Sequence, residues 1–244
     1  MDIISMKETV EMISGRLENR CFTQHVAVNV AKVINSRSDE KLERSVSQCD
    51  LINIDGMGVV WGARLLGYAV PERVAGVDLF HELLAMSAEK EFPVYFLGAT
   101  SDVVERAAAL SVEAHPGLKV AGFHHGYFWN DEEAVVEKIR QSGARLLFVA
   151  ITSPLKENFI NRWRQRLGVD FVMGVGGTFD VVAGKVRRAP DWMQNLGLEW
   201  LYRVIQEPRR MWRRYLVTNS AFAWLLIQER FRCAFSSEEF GFGD

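Results

Sequence analysis

The sequence lacks paired cysteines, an export signal and long hydrophobic runs. Its three cysteines, Cys21, Cys49 and Cys233, are far apart and form no CxxC pair, which argues against a structural zinc site and for a reducing compartment. The N-terminal segment carries charges where a signal peptide needs an apolar core, so we expect no export. No apolar stretch approaches the roughly 20 residues that a membrane-spanning helix needs.

Several catalytic and metal-binding motifs are also absent. The histidines show no HExxH or other metal-ligand spacing, and no DxD triplet offers paired carboxylates to a divalent ion. No GxSxG supports an α/β-hydrolase nucleophile elbow. No GxGxxG follows a predicted strand, which disfavours an NAD-dependent oxidoreductase. We therefore expect neither a metal nor a cofactor.

The composition is that of a soluble globular protein with an uneven charge distribution. The 244 residues are 48% hydrophobic and 25% charged, which excludes a disordered chain and a broadly basic nucleic-acid coat. Residues 185–232 contain ten Lys or Arg against four Asp or Glu, with four of the seven tryptophans. This stretch indicates binding to a membrane surface or to anionic lipid. The alternative is a core-packed helix with a solvated arginine face.

Short apolar runs alternate with helical patterns up to residue 184. This alternation predicts an α/β fold with a doubly wound parallel sheet, covered on both faces by helices. After residue 184 the strand pattern stops, so we divide the chain into a core, 1–190, and a basic, Trp-rich helical appendage, 191–244. The predicted strands are 25–29, 51–54, 94–97, 119–123, 146–150 and 171–175, and the predicted helices are 59–66, 78–89, 102–113, 131–141, 155–167, 192–206 and 209–232.

Acidic residues follow two of the predicted strands, at the edge where ligands bind to doubly wound sheets. Asp55 is followed by two nearby glycines, Gly56 and Gly58. It is either a general base or ligand-binding acid, or the cap of the next helix, and the sequence leaves both open. Asp180 follows a GlyGly pair and either bonds a ribose or sugar hydroxyl or caps a helix.

The turns after two further strands are small and less specific. Residues 98–102 suit a phosphate at a helix N-terminus, although an ordinary turn is favoured. Ser153 is predicted to cap the next helix and Pro154 to begin it. Lys156 then opposes the helix dipole, and a solvated lysine is slightly favoured over one that meets an anionic ligand. Together, the four turns favour a nucleotide or nucleotide-sugar site.

The basic stretch contains arginines with helical spacing. Arg203, Arg210 and Arg213 lie at i, i+7 and i+10, which is within about 80° of arc on one ideal helix. Because the guanidinium group binds phosphate through two parallel hydrogen bonds, a shared face of this kind suits a phosphate or diphosphate.

Four longer segments of the sequence carry a resemblance to a known family. They are 54–61 (IDGMGVVW), 71–78 (PERVAGVD), 174–184 (GVGGTFDVVAG) and 187–203 (RRAPDWMQNLGLEWLYR). Together they resemble the WecG/TagA/CpsF family of bacterial glycosyltransferases, over residues from about 29 to about 219. The resemblance implies a Rossmann-like core with a helical appendage. It also implies transfer of a sugar from a UDP-sugar to a polyprenyl-diphosphate-linked sugar, with inversion and without a required metal.

The resemblance also implies roles for individual residues. Asp55 matches the catalytic base, and Asn29 matches an asparagine at a strand end of the catalytic site. The residues expected to bind the donor are Gly98, Thr152, Lys156, Glu157, Gly177, Phe179 and Asp180. The residues expected to bind the diphosphate of the acceptor or of the leaving UDP are Arg73, Arg203, Arg210 and Arg213.

Two departures from the family pattern permit an alternative. The family usually reads Pro-Lys-Gln-Glu at 154–157, where this chain has Lys156 in place of the glutamine, and Ala27 replaces a frequent hydroxyl residue. The alternative is a catalytically idle nucleotide-sugar-binding subunit that scaffolds a membrane assembly.

The implied enzyme is a peripheral protein on the cytoplasmic face of the bacterial inner (plasma) membrane, active in cell-surface polysaccharide synthesis. Its expected partners are the UDP-sugar donor, the polyprenyl-diphosphate-linked glycan acceptor and the membrane surface, with no nucleic acid. The sequence leaves open whether it forms a homo-oligomer.

Overall fold

The fold is built on six parallel strands. The computed structural model describes residues 1–239, with all side chains except those of Arg210 and residues 233–239. The strands are β1 (Thr23–Val28), β2 (Leu51–Ile54), β3 (Val94–Gly98), β4 (Val120–His124), β5 (Leu146–Ala150) and β6 (Phe171–Gly174). All are parallel and form one sheet in the order β2-β1-β6-β5-β3-β4. The predicted α/β fold with a parallel sheet is confirmed, and each strand lies within two residues of its predicted bounds.

Within residues 1–239, twelve helices flank this sheet or follow it. They are α1 (Met6–Glu18), α2 (Val30–Ser36), α3 (Glu40–Ser47), α4 (Met57–Leu65), α5 (Gly76–Glu89), α6 (Ser101–Ala114), α7 (Glu132–Gln141), α8 (Leu155–Trp163), α9 (Thr178–Val182), α10 (Asp191–Asn195), α11 (Glu199–Gln206) and α12 (Pro208–Glu239). The predicted helix 192–206 is wrong as a single element. A turn at Gly197, with a φ of +66°, separates α10 from α11.

Both faces of the sheet are buried, which is why its strands are apolar almost throughout. In β5, Leu146 and Phe148 belong to a core with α1, α5 and α6, whereas Leu147 and Val149 belong to a second core with α7 and α8. Such continuous apolar runs are typical of parallel strands between two helical layers.

The connections create a crevice at the carboxyl edge of the sheet. From β1 the chain leads outward to β2 at one edge, while β6, on the other side of β1, is reached from β5. After β6, α9 packs into the core that contains α5 and α6, whereas α2, after β1, contacts α3, which contacts α8 on the other face. The chain therefore leaves the neighbouring strands β1 and β6 towards opposite faces of the sheet. Ligands of doubly wound folds bind at such a switch point.

The C-terminal helix α12 packs on the core rather than extending away from it. Phe222 is buried among Ile54, Val59 and Val60 in a third apolar cluster. A Cβ on Gly62 of α4 would lie 2.9 Å from Phe222 Cζ. The bare glycine therefore lets α12 sit directly against α4, close to the end of β2.

The turn after β3 depends on a glycine that no other residue can replace without strain. Gly98 has a φ of +127°, and a Cβ there would lie 2.8 Å from the Cα of Ala150 in β5. We expect Gly98→Ala to lower the free energy of unfolding by about 3 kcal/mol or more, because both the dihedral and the contact become unfavourable. Urea unfolding followed by circular dichroism measures this.

The matched control is Gly15→Ala in α1, where a Cβ would meet nothing within 4 Å. This change should stabilise the protein by about 0.5–1 kcal/mol, as alanine does in a helix. Equal effects of the two substitutions would contradict the structural assignment of Gly98.

Candidate functional site at the carboxyl edge of the sheet

Asp55 lies directly after β2 and is half-buried. Its Oδ1 accepts a hydrogen bond of 3.0 Å from the amide of Gly76, the first residue of α5. The helix that follows Asp55 in sequence, α4, begins after Gly56 and has no side-chain cap. The alternative that Asp55 caps this next helix is therefore wrong, because its carboxylate holds the start of α5 instead.

Small residues surround the contact between Asp55 and α5. A Cβ on Gly76 would lie 3.8 Å from Asp55 Oδ2 and 3.7 Å from the Cβ of Ala27. Ala75, which precedes α5, offers no side-chain cap. The carboxylate of Asp55 therefore takes the place of a cap that the local sequence lacks, and it faces the positive end of the helix dipole.

The surroundings of Asp55 bring its pKa close to neutrality. The pKa of the carboxyl is raised to about 6, chiefly by burial and to a smaller extent by the negative charge of Glu199. The amide of Gly76 and the charges of Arg73 and Arg203 oppose this rise. A carboxylate that is ionised at pH 7 but has a raised pKa is well suited to accept a proton.

Glu199 of α11 links the appendage to the core near Asp55. Its Oε2 lies 3.1 Å from Nη1 of Arg73, and its Oε1 lies 3.0 Å from Nη2 of Arg203. Arg73 lies just before α5, so one carboxylate joins the segment before α5 to α11. Arg73, which the family resemblance assigns to diphosphate binding, is paired with Glu199 in the structure.

A second arginine–carboxylate pair stands on the first turn of α5. Nη2 of Arg188 donates to Oδ2 of Asp78 at 2.7 Å, and Nη1 donates to Oδ1. Such two-pronged pairs fix the guanidinium plane. Within the described residues, Nε of Arg188 is buried without a hydrogen-bond partner.

Sequence reasoning missed Arg188, Asp78 and Glu199 as members of this site. All three lie in the segments on which the family resemblance rests, which was the available signal. With them, the site contains three arginines and three carboxylates, so its formal charges balance. We call this set the Asp55 network, and its members are Asp55, Asp78, Glu199, Arg73, Arg188 and Arg203.

Asn29 lies at the end of β1, next to the Asp55 turn. Its Oδ1 accepts a hydrogen bond of 3.0 Å from the amide of Lys32, so Asn29 is the N-cap of α2. A Cβ on Gly56 would lie 3.4 Å from the Cβ of Asn29. The structure thus brings Asn29 beside the strand end that carries Asp55, with its carbonyl oxygen engaged in capping.

Lys156 and Glu157 are buried in the first turn of α8, so the favoured interpretation of Lys156 as a solvated lysine is wrong. Nζ of Lys156 lies 3.1 Å from Oε1 of Glu157, and Nζ of Lys32 donates to the same oxygen at 2.8 Å. The predicted N-cap Ser153 is also wrong, because α8 has Pro154 at this position and no side-chain cap.

Two of the expected donor contacts are corrected by burial. The side chain of Phe179 is fully buried and packs against Phe80 and Phe96, so it offers no surface to a ligand. The backbone of Gly98 faces that of Ala150 in the neighbouring strand. This contact explains the glycine without a phosphate.

The remaining donor candidates lie on the turns after β5 and β6, which are neighbouring strands. Thr152 and Gly177 are exposed, and Asp180 is half-buried in the first turn of α9. Asp180 does not cap α9, whose N-cap is Gly177; its carboxylate lies 3.8 Å from Nζ of Lys185. Asp180 thus keeps its carboxylate at the carboxyl edge of the sheet.

The three arginines predicted on one helical face are divided between two helices. Arg203 lies in α11, which ends before the non-helical residue Glu207, and Arg213 is exposed in the next helix, α12. The side chain of Arg210 lies outside the described residues. The prediction of one shared helix is therefore wrong; Arg203 acts on the pKa of Asp55, as described above.

Within residues 1–239, no group of three or more His, Cys, Asp or Glu side chains is arranged to hold a metal ion. Among the helices of the described part of the chain, none is both long and apolar enough to cross a membrane.

Comparison with known proteins identifies relatives of the whole chain. Residues 1–235 match the family described as "Glycosyl transferase WecG/TagA/CpsF family". Two similar curated proteins are both named N-acetylglucosaminyldiphosphoundecaprenol N-acetyl-beta-D-mannosaminyltransferase. The protein of Bacillus spizizenii is 35% identical over 84% of this chain and 79% of its own. That of Bacillus subtilis is 37% identical over 70% of this chain and 66% of its own.

The raised pKa of Asp55 predicts a pH-dependent stability. Because the folded pKa of about 6 exceeds the ordinary value of 3.8, ionisation destabilises the native state as the pH rises from about 4 through 6. Asp55→Asn removes this ionisation, and an asparagine oxygen can still accept the bond from Gly76. We expect the variant to be more stable than wild type at pH 8 by on the order of 2 kcal/mol.

Urea unfolding of both proteins at pH 4, 5, 6, 7 and 8 measures the difference. The advantage of Asp55→Asn should grow between pH 4 and 6 and then stay constant. A difference that does not change with pH would show that Asp55 has an ordinary pKa.

Proposed function

The chain belongs to the WecG/TagA/CpsF family of glycosyltransferases, and from this premise we propose that it moves a sugar from a UDP-sugar to a polyprenyl-diphosphate-linked acceptor. The names of the two Bacillus relatives specify an N-acetylmannosaminyl group and an acceptor of N-acetylglucosamine on diphosphoundecaprenol. We extend that acceptor class to this chain. The proposed reaction proceeds with inversion and without a required metal.

The observation that carries this proposal is the environment of Asp55. Its carboxylate accepts the proton of an acceptor hydroxyl while the hydroxyl oxygen attacks the anomeric carbon of the donor. The new bond forms on the face opposite the leaving group. The bond from the anomeric carbon to the phosphate oxygen breaks, and its electron pair leaves with UDP. The raised pKa supports this role, because a stronger base takes the proton more readily.

Arginines near Asp55 are suited to the charge of the leaving diphosphate. Arg73 and Arg203 share Glu199, and Arg188 is fixed by Asp78, so all three are held in place before a substrate arrives. Groups that are already oriented stabilise developing negative charge without a cost of reorganisation. In a reaction without a metal, such cations supply the compensation that a divalent ion would otherwise give.

The exposed face of α12 supports association with a membrane surface. On an ideal helix this face spans about 140° of arc, and Phe222 points the opposite way, towards α4. Its members are Trp212, Leu216, Val217, Trp224, Ile227 and Phe231, with Arg209, Arg213 and Arg230 between them. A helix with exposed aromatics and arginines suits an anionic lipid interface, where a lipid-linked acceptor resides.

We expect Asp55→Asn to lower kcat/KM by at least about 100-fold, because the substituted side chain can no longer take the proton. The assay follows UDP release from UDP-sugars in the presence of a polyprenyl-diphosphate-linked acceptor. The control is Asp131→Asn, which removes an exposed carboxylate before α7 and should leave the rate unchanged.

Near-normal turnover by Asp55→Asn would contradict the base assignment. If the wild-type protein binds UDP-sugars but releases no UDP with any lipid-linked acceptor, the idle nucleotide-sugar-binding subunit is the better account. The departures at Lys156 and Ala27 are the features that favour this second candidate.

We expect the triple variant Trp212→Ser, Trp224→Ser, Phe231→Ser to bind vesicles containing phosphatidylglycerol at least about 10-fold more weakly, because three large apolar contacts are lost. Deletion of the appendage is less informative, because it would remove Phe222 and expose the apolar core residues that Phe222 covers. Co-sedimentation with vesicles measures the effect.

The control for the triple variant is Val112→Ser, which changes an exposed apolar residue of α6. Its vesicle binding should equal that of the wild type. Sedimentation of the triple variant to the same extent as the wild type would show that another surface meets the membrane.

A further inference from the structure

A buried cluster of three charged side chains stands beside the Asp55 network. Lys32 comes from α2, and Lys156 and Glu157 come from α8. Their side chains are only 8%, 9% and 4% exposed. Both ammonium groups approach the same carboxylate oxygen, Oε1 of Glu157, at 2.8 and 3.1 Å. We call these three residues the lysine cluster.

The lysine cluster has more positive than negative charge. Two protonated lysines face one carboxylate, and the charge of Arg214 on α12 also acts on Lys156. The pKa of Lys156 is lowered to about 8, chiefly by burial and also by the charges of Lys32 and Arg214, while Glu157 opposes the shift; the ammonium is therefore still mostly protonated at pH 7. The two lysines hold the pKa of Glu157 at about 2 despite its burial.

An excess buried charge is costly unless a counter-charge neutralises it. The Asp55 network shows the usual solution, since its arginines and carboxylates are equal in number. Nothing comparable balances the second lysine of the lysine cluster among the interactions described for it. The remaining oxygen of Glu157, Oε2, is also buried and has no hydrogen-bond partner within the described residues.

The lysine cluster borders the crevice between β1 and β6. A Cβ on Gly174, the last residue of β6, would lie 2.7 Å from Cε of Lys156. The bare glycine therefore lets the lysine stem cross the end of β6. The cluster thus lies at the carboxyl edge next to β1 and β6, which the chain leaves towards opposite faces of the sheet. Thr152, four residues before Lys156, is exposed at the same edge.

We propose that the lysine cluster binds an oxyanion of the sugar-nucleotide donor, whose negative charge neutralises the second lysine. A hydroxyl next to that oxyanion donates to the unpartnered Oε2 of Glu157. This inference rests on the proposed donor class. The oxyanion is either the diphosphate, which every UDP-sugar has, or a carboxylate on the transferred sugar, and the two sources make different predictions.

The test is calorimetric titration of wild type and Lys156→Gln with three ligands. The first ligand is UDP and the second is UDP-N-acetylmannosamine. The third is the same UDP-sugar with a carboxylate at C6 of the sugar. Glutamine keeps a polar side chain of similar reach and removes one charge. The matched control is Lys138→Gln, which removes an exposed lysine from α7.

If the cluster binds the diphosphate, Lys156→Gln should lower the affinity for all three ligands by about 10-fold or more. This is the loss expected for one charge-assisted hydrogen bond. If the cluster binds a sugar carboxylate, only the affinity for the donor with a carboxylate at C6 should fall. Wild type should then bind this donor more tightly than UDP-N-acetylmannosamine. Affinities within about two-fold of wild type for all three ligands, as expected of Lys138→Gln, would overturn the proposal.

Lys32→Gln provides a second variant if Lys156→Gln folds poorly. It also leaves one lysine opposite one carboxylate, so it should reproduce the loss of affinity. Both variants should unfold thermally at or above the wild-type temperature without ligand, because the excess charge is gone.

Inorganic pyrophosphate separates failure of this inference from failure of the proposed donor. If wild type binds no uridine nucleotide, the donor class is wrong, and stabilisation by pyrophosphate then tests the cluster alone. A thermal shift that disappears in both lysine variants supports an oxyanion site. A shift that persists in both, or no shift in wild type, overturns it.

Discussion

The hydrogen bond between the Asp55 carboxylate and the amide of Gly76 determines how the rest of the site is arranged. It holds the N-terminus of α5 against the end of β2, over a distance of 3.0 Å. The first turn of α5 then presents Asp78 to Arg188. The segment before it presents Arg73 to the appendage. One contact at a strand end therefore fixes the positions of the charges that surround the proposed base.

Charge balance distinguishes the two polar clusters at this edge of the sheet. The Asp55 network is neutral in total, so its arginines can remain ordered in a partly buried region without substrate. The lysine cluster has one charge too many, so its stability depends on what else occupies the crevice. A sugar nucleotide is itself an anion with hydroxyl groups. The charges of the first cluster thus balance without a ligand, whereas those of the second balance only with the anionic donor that we propose.

The sequence was a good guide to the strands and a poor one to the side-chain partners. Burial on both faces leaves a continuous apolar run, which can be read directly, so β2 and β5 have their predicted bounds. The bond from Asp55 reaches a residue 21 positions away and depends on how α5 docks. Helix-dipole reasoning predicts a solvated Lys156, but its side chain is buried between Gly174 and Glu157. Phe179 follows a glycine turn, but it lies in the short helix α9 and its side chain is buried in the core.

The appendage and the core behave as one unit, which matters for a lipid-linked acceptor. Glu199 joins α11 to Arg73 in the core, and Phe222 joins α12 to α4, the helix that begins two residues after Asp55. An α12 that rests on the membrane therefore holds the proposed base at a fixed height above it. The acceptor hydroxyl is also at a fixed height, because its diphosphate stays near the lipid surface. In the proposed reaction, the packing of α12 on the core thus positions the base relative to the acceptor hydroxyl before the donor binds.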